Sequence, residues 1–200
     1  VKALLKRARD QGVTGTGLDQ LEEKLGSSDI EKEDVKDPPL ENIQYVIKLF
    51  NQNKYKDCLE NVENLLLKYN NSAMLFNIMG AIYISLKKFD SAIVNLEKSI
   101  EINPKDAGVY YNMGIAFYSL GKRNKAIFNY KKSLKVNSNY KDALYGLSDA
   151  IKGYEFNNYQ PDIYPMLIEM IEKKVTDELY FIKPVLSLLR NDPNINIILK

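Results

Sequence analysis

Residues 73–106 read AMLFNIMGAIYISLKKFDSAIVNLEKSIEINPKD, and residues 107–140 read AGVYYNMGIAFYSLGKRNKAIFNYKKSLKVNSNY. Aligned without a gap, the segments share Ala73, Met79, Gly80, Ser85, Leu86, Lys88, Ala92, Ile93, Asn95, Lys98, Ser99 and Asn103 with the residues 34 places on. Other pairs exchange like for like, as Phe76 with Tyr110 and Tyr83 with Phe117. Self-similarity at this period is the mark of a stacked array. Within a unit, apolar residues fall at helical spacing (Phe76, Met79, Tyr83, Leu86) and again after a short polar turn (Phe89, Ala92, Ile93, Leu96, Ile100). That is the period of two amphipathic helices joined by a tight turn. Gly80 and Ala92, like Gly114 and Ala126, fall where the paired helices cross, because a larger side chain would push the backbones apart.

On these residues the chain resembles the tetratricopeptide repeat (TPR) family. The family pattern of bulky residue, Leu-Gly, aromatic, Ala, aromatic, Ala and Pro reads here as Phe76, Met79-Gly80, Tyr83, Ala92, Leu96, Ser99 and Pro104. One unit later it reads Tyr110, Met113-Gly114, Phe117, Ala126, Tyr130, Ser133 and Ser138. A degenerate copy at 39–72 (Tyr45, Val46, Leu49, Tyr55, Cys58, Val62, Leu65, Asn70) lacks the glycine, so its two helices are expected to lie further apart. A fourth copy starts at 141 with Leu144, Leu147-Ser148, Ile151 and Tyr154, then stops because Pro161 interrupts its second helix. The expected fold is an all-α TPR helix-turn-helix solenoid of about three repeats plus a half repeat, with flanking helices.

Outward from this array (39–72, 73–106, 107–140 and a partial 141–155), residues 1–38 read as short helices at Lys2–Arg9 and around Leu18, Leu21 and Leu25, then a polar linker. Residues 156–200 read as a helical cap or connector: an amphipathic helix at Asp162–Lys174, another at Leu179–Arg190 that Pro184 starts or kinks, and a third opened by Asp192-Pro193. That last one is still apolar at Ile195, Ile197, Ile198 and Leu199, which suggests that more protein follows. The stretches Tyr164–Ile168 and Val185–Pro193 resemble the connector of bacterial proteins in which a TPR array leads into a methyltransferase.

Composition excludes much chemistry. The chain has 200 residues, no histidine and one cysteine, which removes histidine-based triads, Cys-His pairs, histidine-ligated zinc and internal disulfides. No segment is apolar enough to span a bilayer. Gly12, Gly15 and Gly17 lack the preceding strand that a phosphate loop needs. Cys58 takes the place of Ala92 and Ala126 and reads as a packed core thiol. No catalytic residue, metal ligand or cofactor site is expected. The net charge of +2 conceals a basic block without acidic residues over 107–140: Lys122, Arg123, Lys125, Lys131, Lys132 and Lys135. Such a run is most simply a solvated helix face, and nucleic acid is not the expected partner.

In TPR proteins the first helix of each unit lines a concave groove. Helical spacing places Ile43, Ile47, Phe50, Asn77, Ala81, Ile84, Tyr111, Ile115, Tyr118 and Tyr145 there, with Asp149 and Lys152 beyond. Of the Lys, Asn and Arg pattern that the family uses to grip a C-terminal carboxylate, only Asn112 is matched. The expected function is a non-catalytic, cytoplasmic protein–protein interaction module that takes a peptide or partner helix in this groove. The competing readings are a groove covered by the chain's own flanking helices, and a substrate-presenting or dimerising arm of a larger transferase lying downstream.

Overall fold

The computed structural model describes residues 37–158, 160–173, 175 and 178–194. The helices read at Lys2–Arg9 and Leu18–Leu25, the glycine loop and the apolar residues 195–200 lie outside these. Nine α-helices and no strand occur among the described residues. They are α1 (Leu40–Asn51), α2 (Tyr55–Lys68), α3 (Ala73–Ser85), α4 (Phe89–Ile102), α5 (Ala107–Ser119), α6 (Arg123–Val136), α7 (Lys141–Ile151), α8 (Tyr164–Glu172) and α9 (Ile182–Asn191). Short 3-10 turns at Pro161–Ile163 and Glu178–Phe181 precede α8 and α9. Among the described residues, no helix is long and apolar enough to cross a membrane.

The sequence repeat reappears as a repeat of hydrogen bonds. The turn inside each helix pair closes on a residue with left-handed backbone, at Asn53, Lys87 and Gly121, with φ of 59°, 58° and 71°. Their N–H groups donate to the carbonyls of Phe50, Ile84 and Tyr118 at 2.9, 2.8 and 2.9 Å. Only glycine adopts this conformation without steric cost, so Lys87 is held there by the packing of α3 on α4. Ser99 and Ser133 reach back from the second helices and donate to the carbonyls of Ala73 and Ala107, both at 2.8 Å. Ser72 and Asp106 cap α3 and α5, accepting from the N–H groups of Leu75 and Gly108 at 3.2 and 2.8 Å.

The glycines at the crossings are required by close approach. A Cβ on Gly80 would stand 2.6 Å from the Leu96 side chain, and one on Gly114 would stand 2.4 Å from the Tyr130 ring. In the first pair the corresponding residue is Val46, and α1 meets α2 over a smaller stretch than α3 meets α4. Cys58 is buried there, its thiol directed at the Val46 carbonyl 3.5 Å away.

Two apolar clusters follow one another along the array, and Tyr83 packs against both. The first joins α1, α2 and α3 through Val46, Leu49, Val62, Leu75 and Ile82. The second runs from α4 to α9 and takes in Phe156, Ile163, Leu167, Met170, Phe181 and Leu188. The C-terminal segment therefore closes the end of the array by continuing its core. Pro161 opens a 3-10 turn where a second helix of the fourth unit would run. Pro184 is the third residue of α9, in the first turn, where its missing N–H leaves no intrahelical bond unmade.

Candidate functional site

Helices α3, α5 and α7, the first of successive pairs, lie side by side and form one face of the array. One ring beneath this face comes from the opposite layer. Tyr130 of α6 passes its ring between α5 and α7 through a gap kept open by two glycines. A Cβ on Gly114 would stand 2.4 Å from the ring, and one on Gly146 would stand 2.7 Å from it. Tyr111 lies against Tyr130 and Tyr140, with ring centroids 6.1 and 5.4 Å away. Burial pushes the Tyr130 phenol well above its ordinary value, with Tyr111, Tyr118 and Asp149 adding to the effect. Burial likewise raises Tyr111, reinforced by Asp142, and raises Tyr140, reinforced by Asp142, Tyr111 and Asp106. These tyrosines are neutral hydrogen-bonding groups at any physiological pH.

Amides span the same face. The Asn112 amide N–H donates to Asn77 Oδ1 at 2.8 Å, and the Asn77 amide N–H donates to Asp106 Oδ2 at 3.5 Å. Asn112, the one match to the carboxylate-gripping pattern, is thus engaged with Asn77. The carboxylates of Asp106, Asp142 and Asp149 face the tyrosines electrostatically. The face combines aromatic rings, amides and acidic groups.

The residues that spacing assigned to the groove occupy different depths. Tyr118 is 41% exposed, Tyr145 53% and Ile47 47%. Asn77, Ala81, Ile84, Tyr111 and Ile115 are half-buried and form the floor, as is Phe50, whose ring packs edge-on against Tyr55 at 5.5 Å. Ile43 departs from the expectation. It is buried on the stripe of Val46 and Leu49 and belongs to the first core cluster, because α1 turns that stripe toward α2 and α3. Lys152 departs as well: its ammonium sits 3.4 Å from the centroid of the Tyr180 ring and serves the C-terminal cap.

The TPR repeat profile matches residues 80–121, and the tetratricopeptide repeat profile matches residues 107–140. This chain carries tetratricopeptide repeats. No curated protein sequence matches it. Among solved structures the TPR fold here is similar to that of MamA, with TM-score 0.56 and 19% identity over 85% of this chain and 94% of that one. It is similar to the first TPR domain of Spaghetti (RPAP3), solved with an HSP90 peptide, with TM-score 0.53 and 22% identity over 56% and 88% of the two chains. The second TPR domain of human RPAP3, solved with an HSP70 peptide, gives TM-score 0.51 and 20% identity over 55% and 91%. At these identities the likeness is one of fold.

The basic block of the third TPR unit divides in a way that spacing did not reveal. Lys131, with its side chain 12% exposed, donates to Asp162 Oδ1 at 2.8 Å and to Gln160 Oε1 at 3.0 Å. Lys135 reaches the other Asp162 oxygen at 2.9 Å. Arg123 lies over the Tyr154 ring, 6.0 Å from its centroid, and donates to the Lys152 carbonyl at 3.4 Å. Lys131 and Lys135 therefore fasten the C-terminal segment to α6, while Arg123 packs on the end of the partial fourth unit, which corrects the reading of Lys131 as part of a solvated helix face.

Proposed function

We propose that the chain is a non-catalytic binding module that holds a peptide or a partner helix on the face of α3, α5 and α7. The observation that carries this reading is the exposure of Tyr118 and Tyr145 above a half-buried floor of Tyr111 and Ile115. Aromatic anchors over a partly desolvated floor are where binding energy concentrates. TPR domains of similar fold are solved with chaperone peptides, which supports peptide capture as the mode. The chemistry of this face favours a different occupant. Asp106, Asp142 and Asp149 surround the tyrosines, so an acidic C-terminus would be repelled and a neutral or basic segment with apolar anchors is favoured.

Selection of a random peptide display library on the chain tests this. Enriched sequences should carry aromatic or aliphatic anchors and few acidic residues. Tyr118→Ala should weaken their binding by about 2 kcal/mol, roughly thirtyfold, without loss of helicity. Enrichment of acidic C-termini, or indifference to both Tyr118→Ala and Tyr145→Ala, would refute the proposal.

A further inference from the structure

A second cleft opens on the other side of α5, over side chains of that helix that are themselves buried. Tyr110, Met113 and Phe117 stand roughly 130° round the helix from Tyr111, Ile115 and Tyr118 at the α-helical pitch. Together with Ile100 of α4 and Phe128 of α6 they line an open cleft of about 440 Å3. Phe128 is 59% exposed, a large apolar side chain on the outer layer. Two lysines of α6 stand at the rim. The Lys125 ammonium lies 5.2 Å from the Phe117 ring centroid, and that of Lys132 lies 5.0 Å from Tyr110 and 5.7 Å from Phe128. Among the described residues, neither has an acidic partner and no carboxylate lines the cleft.

The preceding unit provides an internal contrast. Lys98 sits over Phe76 at 5.4 Å, as Lys132 does over Tyr110. Yet Ser91 stands in the place of Lys125, Val94 in that of Phe128, and Glu97 and Glu101 in those of Lys131 and Lys135. The paired ammonium groups around an apolar cleft belong to the third unit alone of these two.

We infer that this outer cleft is a second docking site, taking an acidic protein segment whose one bulky apolar side chain enters between Ile100, Met113 and Phe128 while its carboxylates meet Lys125 and Lys132. Charge complementarity and the apolar lining argue for this occupant together. A nucleic acid fits less well. Lys131, Lys135 and Arg123 are already engaged, which leaves Lys122, Lys125 and Lys132, a small set for a phosphate backbone whose affinity grows with each charge neutralised. The site is independent of the inner face.

The test uses synthetic fluorescent probes read by anisotropy: Glu-rich peptides with Phe, Leu or Ser at the centre, a Lys-rich peptide with central Phe, and a mixed-sequence single-stranded oligonucleotide. The acidic Phe and Leu peptides should bind at least tenfold tighter than the acidic Ser and the basic Phe peptides. Lys125→Glu combined with Lys132→Glu should weaken the acidic Phe peptide at least tenfold. Phe128→Ser should do so without a change of charge, and Tyr118→Ala should have no effect. Equal binding of the Phe and Ser peptides overturns the proposal, as does indifference to the lysine reversal. Loss in Tyr118→Ala alone would move the acidic peptide to the inner face. An oligonucleotide that binds tighter than every peptide and is released by the lysine reversal would make the cleft a nucleic-acid site instead.

Discussion

Gly114→Ala should close the gap through which Tyr130 reaches the inner face. The added Cβ would lie 2.4, 2.5 and 2.8 Å from three atoms of that ring. Carbon atoms in ordinary contact stand about 3.5–4.0 Å apart, so the ring or a helix has to give way by about 1 Å. The ring has little room for this. The backbone of α7 also lies close to it, near enough that a Cβ added at Gly146 would stand 2.7 Å from the same ring. Overpacking of this kind costs about 1–3 kcal/mol, and the better helix propensity of alanine returns about 1 kcal/mol. The expected net loss is about 0–2 kcal/mol, read as a lower urea midpoint by far-UV circular dichroism at unchanged slope. The Tyr130→Val background supplies the decisive comparison, because it removes the ring atoms that clash. There Gly114→Ala should be neutral or stabilising, giving a coupling of about 1 kcal/mol or more. The same effect of Gly114→Ala in the parent and in Tyr130→Val, with no coupling between the two sites, would refute the crossing geometry.

Lys87→Gly should stabilise the chain by about 0.5–1 kcal/mol in the same melts, since relief of left-handed strain outweighs the added chain entropy; Gly121→Ala should have the opposite sign. Asp162 is half-buried, which alone would raise its pKa, but hydrogen bonds from Lys131 and Lys135 outweigh burial and hold it below the ordinary value. A carboxyl lowered in this way adds stability above the unfolded-state value near pH 4, and loses it as pH falls through the folded value. Asp162→Asn should therefore cost about 1 kcal/mol at pH 7, the site being partly exposed, with the difference from the parent vanishing once the pH has fallen below the folded-state value. Gly114→Leu should destabilise more than Gly121→Leu in urea melts, because nothing lies within 4 Å of a Cβ at Gly121 and only its backbone is strained.

The fold was readable because the repeat encodes it locally and twice over. Gly80, Gly114, Ala92 and Ala126 are small where helices cross, and the apolar spacing gives each helix its direction. Pro161, a residue with no N–H and a fixed φ, marked where the pairing of helices stops. The inner face was only partly readable. Helical spacing gives direction but not depth, so Ile43 could not be told from Ile47, nor the wedged Tyr111 from the exposed Tyr118. Lys131 looked like its neighbours in a basic run because its partner Asp162 stands 31 residues on, beyond a loop with no repeat register. The outer cleft had a weak sequence signal: Phe128 is a bulky apolar residue among the polar positions of α6, between Lys125 and Lys132.

Amide chemical-shift mapping of the chain with a library-selected peptide tests the central claim most directly. Inner-face binding predicts that the shifts concentrate on α3, α5 and α7 around Asn77, Asn112, Tyr118 and Tyr145, and disappear with Tyr118→Ala. Shifts confined to α4 and α6, or spread along the C-terminal helices α8 and α9 with Tyr118 unaffected, would contradict it.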